Sequence, residues 1–92
     1  MGREGADRMR ILIAEDEKDL NQIITNRLKG EHYSVDSCFD GREALEYLES
    51  AEYDAAVLDI MMPVMDGMSV LKKMRRRNDS TPVILLTAKD GI

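Results

Sequence analysis

Glu15, Asp16, Asp59 and Thr87 are the residues of this 92-residue chain whose types and positions could do chemistry. Each follows a short apolar run: Ile11 to Ala14 before the Glu15-Asp16 pair, Ala55 to Leu58 before Asp59, and Val83 to Leu86 before Thr87. Such runs, bounded by polar residues, read as strands covered on both faces. A carboxylate directly after a buried strand is costly unless a cation or backbone donors serve it. If these strands are parallel neighbours, three acids distant in sequence converge and repel one another. A hard divalent cation relieves that repulsion, and Mg²⁺ suits an all-oxygen donor set that leaves room for waters or phosphate oxygens. A carboxylate placed there can also act as a nucleophile and form an acyl phosphate, provided a metal and backbone donors disperse the phosphoryl charge. Asp59 is the candidate nucleophile, and the Thr87 hydroxyl could reach a phosphoryl group on it. Singly, Asp16 reads as a helix cap and Thr87 as a β-branched strand residue. Their order at successive strand ends is what points to a site.

The elements that must position these residues can be followed along the chain. After the first strand, Leu20, Ile23, Ile24 and Leu28 recur at helical spacing, with Asp16 as N-cap and Gly30 as stop. Tyr33 to Phe39 alternates apolar and polar residues, the pattern of an edge strand with one wetter side. Asp40 and Glu43 form a D-x-x-E capping box for a helix whose buried stripe is Ala44, Leu45 and Leu48. The strand ending at Asp59 leads into a loop with Pro63 and Asp66-Gly67, and Asp66 caps a third helix that buries Val70, Leu71 and Met74. The Asn78 to Pro82 turn precedes a further buried strand, Val83 to Leu86. Strand and helix in alternation with short loops mean parallel βαβ units with right-handed crossovers. The fold class is α/β, a flavodoxin-like doubly wound sheet in the order 2-1-3-4. Ligands of such sheets bind beyond the carboxyl ends of the strands where the order reverses. Here that point lies between strands one and three, where Glu15, Asp16 and Asp59 leave the sheet.

Composition narrows the function. Thirteen Lys and Arg against eighteen Asp and Glu give a net charge of −5, which does not favour binding to phosphate backbones. The single cysteine, Cys38, forms no internal disulfide and points to a reducing cytoplasm. No apolar stretch approaches the ~20 residues of a membrane span. Residues 1–9 read as a flexible lead and residues 10–92 as one domain. The basic run from Lys72 to Arg77 suits the end of a helix. Met61, Met62, Met65 and Met68 suit loop and core packing. His32 stands away from the acids.

The segments Ile11-Leu12-Ile13-Ala14-Glu15-Asp16-Glu17, Val57-Leu58-Asp59-Ile60-Met61-Met62-Pro63-Val64-Met65-Asp66-Gly67 and Pro82-Val83-Ile84-Leu85-Leu86-Thr87-Ala88-Lys89 occur in this order. With them the chain resembles a response-regulator receiver domain from Arg10 to Asp90, with wording similar to regulators that carry winged-helix DNA-binding outputs. The resemblance implies that Asp59 accepts a phosphoryl group from a sensor histidine kinase. It implies Mg²⁺ held by Asp16, Asp59 and the backbone carbonyl of Met61, with Glu15 assisting. Thr87 would be the switch hydroxyl, and backbone N–H groups near Ile60, Met61 and Ala88 would bind phosphoryl oxygens. DNA would be reached only through an output domain outside this sequence. The family continues through a fourth helix, a fifth strand bearing a phosphate-pairing lysine and an aromatic switch residue, and a fifth helix. The chain therefore reads as a truncated receiver, and Lys89, in the loop after strand four, is not that lysine.

Two other readings follow from the same residues. An inert fragment, or a homodimer or domain swap through an exposed fourth strand, follows from the missing fifth strand. A Mg²⁺-dependent aspartyl phosphohydrolase is disfavoured, because Met61 stands where such enzymes want a second aspartate two residues after the nucleophile. The expected role is a signalling module rather than an enzyme.

Overall fold

The computed structural model describes residues 8–87. Residues 1–7 of the expected lead over 1–9, and the expectations for Ala88 and Lys89, lie outside the described residues. The elements are β1 (Arg10–Ala14), α1 (Lys18–Gly30), β2 (Ser34–Cys38), α2 (Gly41–Ser50), β3 (Ala55–Asp59), α3 (Gly67–Arg76) and β4 (Val83–Leu86). All strands are parallel in the order β2-β1-β3-β4, the order read from the pattern. Ile13 pairs with Ser37 on one side and Val57 on the other, and Asp59 pairs with Leu86.

The alternation of side chains across β1 and β3 builds two cores. Leu12, Ala14, Ala56 and Leu58 face α2 and α3, meeting Ala44, Leu48, Val70 and Met74. Ile11, Ile13 and Val57 face the other way, where Ile24 and Leu28 of α1 pack on them. Both faces of the central strands are covered, which is why their sequences are continuous apolar runs rather than alternating ones.

A side chain caps the N-terminus of α2 and of α3 but not that of α1. Asp40 Oδ1 accepts from Glu43 N at 2.8 Å, and Asp66 Oδ1 accepts from Ser69 N at 2.7 Å, so both are N-caps. Glu43 reciprocates to Phe39 N at 3.0 Å, one residue before the cap. Asp16 does not cap α1: the N-cap position falls on Glu17, without a side-chain cap bond. The reason is that Asp16 turns with Glu15 toward Asp59, so the acid read as a cap serves the strand end instead. Gly30 is the last residue of α1 rather than its left-handed stop. That conformation falls on His32, φ 71°, whose N–H donates to Lys29 O while Tyr33 N donates to Leu28 O, a Schellman closure built without glycine.

Two burial expectations are also corrected. Ile23 is 65% exposed, and the deepest residues of α1 are Asn21 and Thr25. The inner face of α1 is therefore rotated toward a polar pair, for a reason found in the site below. The apolar run of β4 predicts burial on both faces, yet Ile84 is 58% exposed, while its place at the edge of the sheet among the described residues agrees with the expected exposed fourth strand. A continuous apolar run cannot by itself report which face has a neighbour.

Two buried groups set the response to alkali. Burial pushes the Cys38 thiol up to about 12 from its ordinary 9.0, with help from the charges of Glu43 and Asp40. Burial likewise raises the Tyr53 phenol, whose hydroxyl donates to Asp36 Oδ2 at 2.6 Å. Both groups hold their protons more tightly folded than unfolded. Their contribution to stability is therefore complete below the unfolded pKa and is lost as pH rises toward the folded one. Denaturant titrations should show stability falling from pH 9 toward 12, with a shallower fall in Cys38→Ala. An identical slope in that variant would refute the assignment to Cys38.

Candidate functional site

The site begins where β1 ends. Glu15 N donates to Cys38 O at 3.2 Å, continuing the β1–β2 ladder by one step and placing Glu15 in a fully buried position. Its Oε2 accepts from Glu17 N at 2.8 Å, which folds the acidic turn back on itself. Asp59 ends β3, the neighbouring strand, and is 1% exposed. Its Oδ1 accepts from Met61 N at 3.1 Å, a backbone donor supplied by the loop it opens. Glu15, Asp16 and Asp59 each bring a carboxylate oxygen to within 4.8 Å of the others. The three acids read from sequence are thus one cluster, at the switch point between β1 and β3.

Around the acids, the β3–α3 loop is held by backbone bonds. Ile60 N donates to Leu86 O at 3.0 Å and Gly67 N to Ile60 O at 3.0 Å. The first bond carries the β3–β4 pairing one residue past Asp59. Thr87, next after Leu86, is exposed on the same carboxyl edge, one strand over from β3. Met61 is 69% exposed, Val64 takes a left-handed φ of 68°, and Met62 turns back into the core. A Cβ on Gly67 would run into the Asp59 carbonyl oxygen, so this glycine permits α3 to start directly against the strand end. Beside Asp16 the loop leaves a shallow apolar groove of about 620 Å³ reaching Met68.

An all-carboxylate oxygen set, two of its members buried, fits a hard divalent cation and offers nothing that a softer metal would prefer. Sequence reasoning missed Asn21 and Thr25, which sit under the acidic turn. Their signal was available: two polar residues one turn apart on a face that also carries Leu28. The apolar stripe through Ile23 masked it.

A family model described as the response regulator receiver domain matches residues 11–92. The chain belongs to the response regulator receiver domain family. Among its relatives, the transcriptional regulatory protein DltR of Streptococcus agalactiae serotype III is 48% identical over 81 residues, which cover 88% of this chain and 36% of DltR. The receiver domain of the Francisella response regulator 1452 superposes with a TM-score of 0.86 at 39% identity, covering 91% of this chain and 69% of that one. The Thermotoga maritima response regulator TrrA, solved in complex with Mg(2+)-BeF, superposes with a TM-score of 0.83 at 35% identity, covering 89% of this chain and 71% of that one. The chain thus spans about a third of the length of DltR, and the receiver domain is what it matches. No helix among the described residues of this receiver domain is long and apolar enough to cross a membrane.

Proposed function

We propose that this receiver domain accepts a phosphoryl group on Asp59 from a sensor histidine kinase. The observation that carries the reading is the convergence of Glu15, Asp16 and Asp59 at the ends of adjacent parallel strands, with Asp59 buried and facing a backbone donor. Asp16, Asp59 and the Met61 carbonyl would hold Mg²⁺, with Glu15 assisting. That ion would supply charge neutralisation for the phosphoryl oxygens. A carboxylate oxygen of Asp59 forms the new P–O bond as the P–N bond to the donor imidazole breaks and the imidazole leaves with the electron pair. Met61 N, already directed at the Asp59 carboxylate, steadies the acceptor. The Thr87 hydroxyl, on the same edge, then donates to a phosphoryl oxygen and draws the end of β4 toward Asp59. In the longer regulator this shift would bias a DNA-binding output, in the cytoplasm where the kinase delivers the phosphoryl group.

The complex of TrrA with Mg(2+)-BeF supports the choice of cation for such a fold. Incubating the chain with acetyl phosphate and Mg²⁺ and weighing it intact should show the gain of one phosphoryl group. The gain should vanish in Asp59→Asn and when Mg²⁺ is withheld. An unmodified wild-type mass, or an equal gain in Asp59→Asn, would overturn the reading.

A further inference from the structure

Asn21 is a polar side chain buried to 3% exposure in an amphipathic helix, a placement that needs a reason. Its amide spends both N–H groups on two strand ends: Nδ2 donates to Glu15 O at 3.0 Å and to Cys38 O at 2.9 Å. Its Oδ1 accepts from the Thr25 hydroxyl at 3.2 Å, and Thr25 is itself buried at 6% exposure. Two carbonyls facing one side of the amide require its NH₂ there, so the orientation is determined by the partners. Cys38 O also takes the Glu15 N–H, so Asn21 adds a side-chain rung to the last step of the β1–β2 ladder. The carbonyl it grips at Glu15 belongs to the peptide that joins Glu15 to Asp16. Holding that peptide plane sets the direction in which the chain leaves β1, and with it the places of two of the three clustered acids.

Resting on the cation reading above, we propose that Asn21 is a positioning residue for the acidic site, acting through the Glu15 carbonyl, with Thr25 fixing its amide. The hydrogen bonds of Asn21 go to two backbone carbonyls and the Thr25 hydroxyl rather than to the carboxylates. Outer-shell partners of metal ligands typically change metal affinity by 10- to 100-fold when lost, because the ligands are then free to sample non-binding directions. The same logic explains the rotation of α1: the helix exposes Ile23 while Asn21, held by Thr25, reaches the strand ends.

The test is Mg²⁺ binding by isothermal titration calorimetry on wild type, Asn21→Ala, Thr25→Val and the exposed control Gln22→Ala, with Mg²⁺-free thermal unfolding run in parallel. Asn21→Ala should weaken Mg²⁺ binding by about 10-fold or more, Thr25→Val by a smaller factor, and Gln22→Ala not measurably. A residue that merely supports the helix would lower the Mg²⁺-free melting temperature and leave the affinity of the folded protein unchanged, and that result overturns the proposal. If Asn21→Ala does not fold, Thr25→Val decides, and wild-type affinity in it overturns the proposal. Absence of Mg²⁺ binding in the wild type would instead sink the cation reading on which this one rests.

Discussion

Replacing Asp59 by Asn should make the Mg²⁺-free protein more stable by about 1 to 3 kcal/mol while removing most of its response to Mg²⁺. The expectation follows from the crowding of Glu15, Asp16 and Asp59 within 4.8 Å, two of them buried, where the local dielectric is well below that of water. Asn keeps the size of Asp and an oxygen that can accept from Met61 N, so the loop bond at 3.1 Å survives. What disappears is one of three like charges. The wild type should recover the difference when Mg²⁺ is added, gaining about 2.7 kcal/mol at a hundred times its dissociation constant, because an ion held by the acid cluster would bind the folded protein alone. The variant, with a weaker donor set, should gain far less, so the two stability curves should cross as Mg²⁺ rises. Urea titrations at several Mg²⁺ concentrations would show this. A variant less stable than wild type without Mg²⁺ would mean that the acids are not in net repulsion, and the account of the site would need rebuilding.

Gly67→Ala is the backbone counterpart, and it should cost about 3 kcal/mol and slow phosphoryl transfer to Asp59. The added methyl would collide with the Asp59 carbonyl oxygen, with Ile60 Cα close behind. Backbone cannot yield as the end of a flexible side chain can, so either α3 retreats or the end of β3 moves. Both choices disturb the bond from Gly67 N to Ile60 O at 3.0 Å and the direction of the Asp59 carboxylate. Gly30→Ala is the control: its Cβ would meet nothing within 4 Å, at the end of α1, and it should be neutral or stabilising by about 0.5 kcal/mol. Thermal unfolding of both variants, with intact mass after acetyl phosphate, separates the cases. Wild-type stability in Gly67→Ala would show that the close approach is not a constraint.

The alternation of apolar runs with amphipathic segments determined the element order, the parallel sheet and the order β2-β1-β3-β4, because burial on both faces and right-handed crossovers leave few other arrangements. The same reasoning reached the acid cluster: Glu15, Asp16 and Asp59 end strands that must be adjacent, so their convergence follows from topology. Asp40 and Asp66 were legible as caps because a cap uses only a residue's own neighbours.

What the sequence could not assign were roles that depend on a partner distant along the chain. Asp16 has the type and position of a cap, but it stands with Glu15 and Asp59 at the strand ends and the cap position falls on Glu17. Gly67 looked like half of a turn, whereas its necessity comes from the Asp59 carbonyl packed against it. Ile23 fits the apolar stripe of α1 by spacing, yet the helix turns it outward. Hydrophobic periodicity reports a preference of roughly 100° of arc. Which part of that arc faces the sheet was decided by Asn21, whose hydrogen bonds to Glu15 O and Cys38 O exist only once β1 and β2 lie side by side. Local pattern determined which elements form and where their acidic ends lie. Tertiary packing alone decided the rotation of α1 and the close contact at Gly67, because the groups that impose them are neighbours in space and not in sequence.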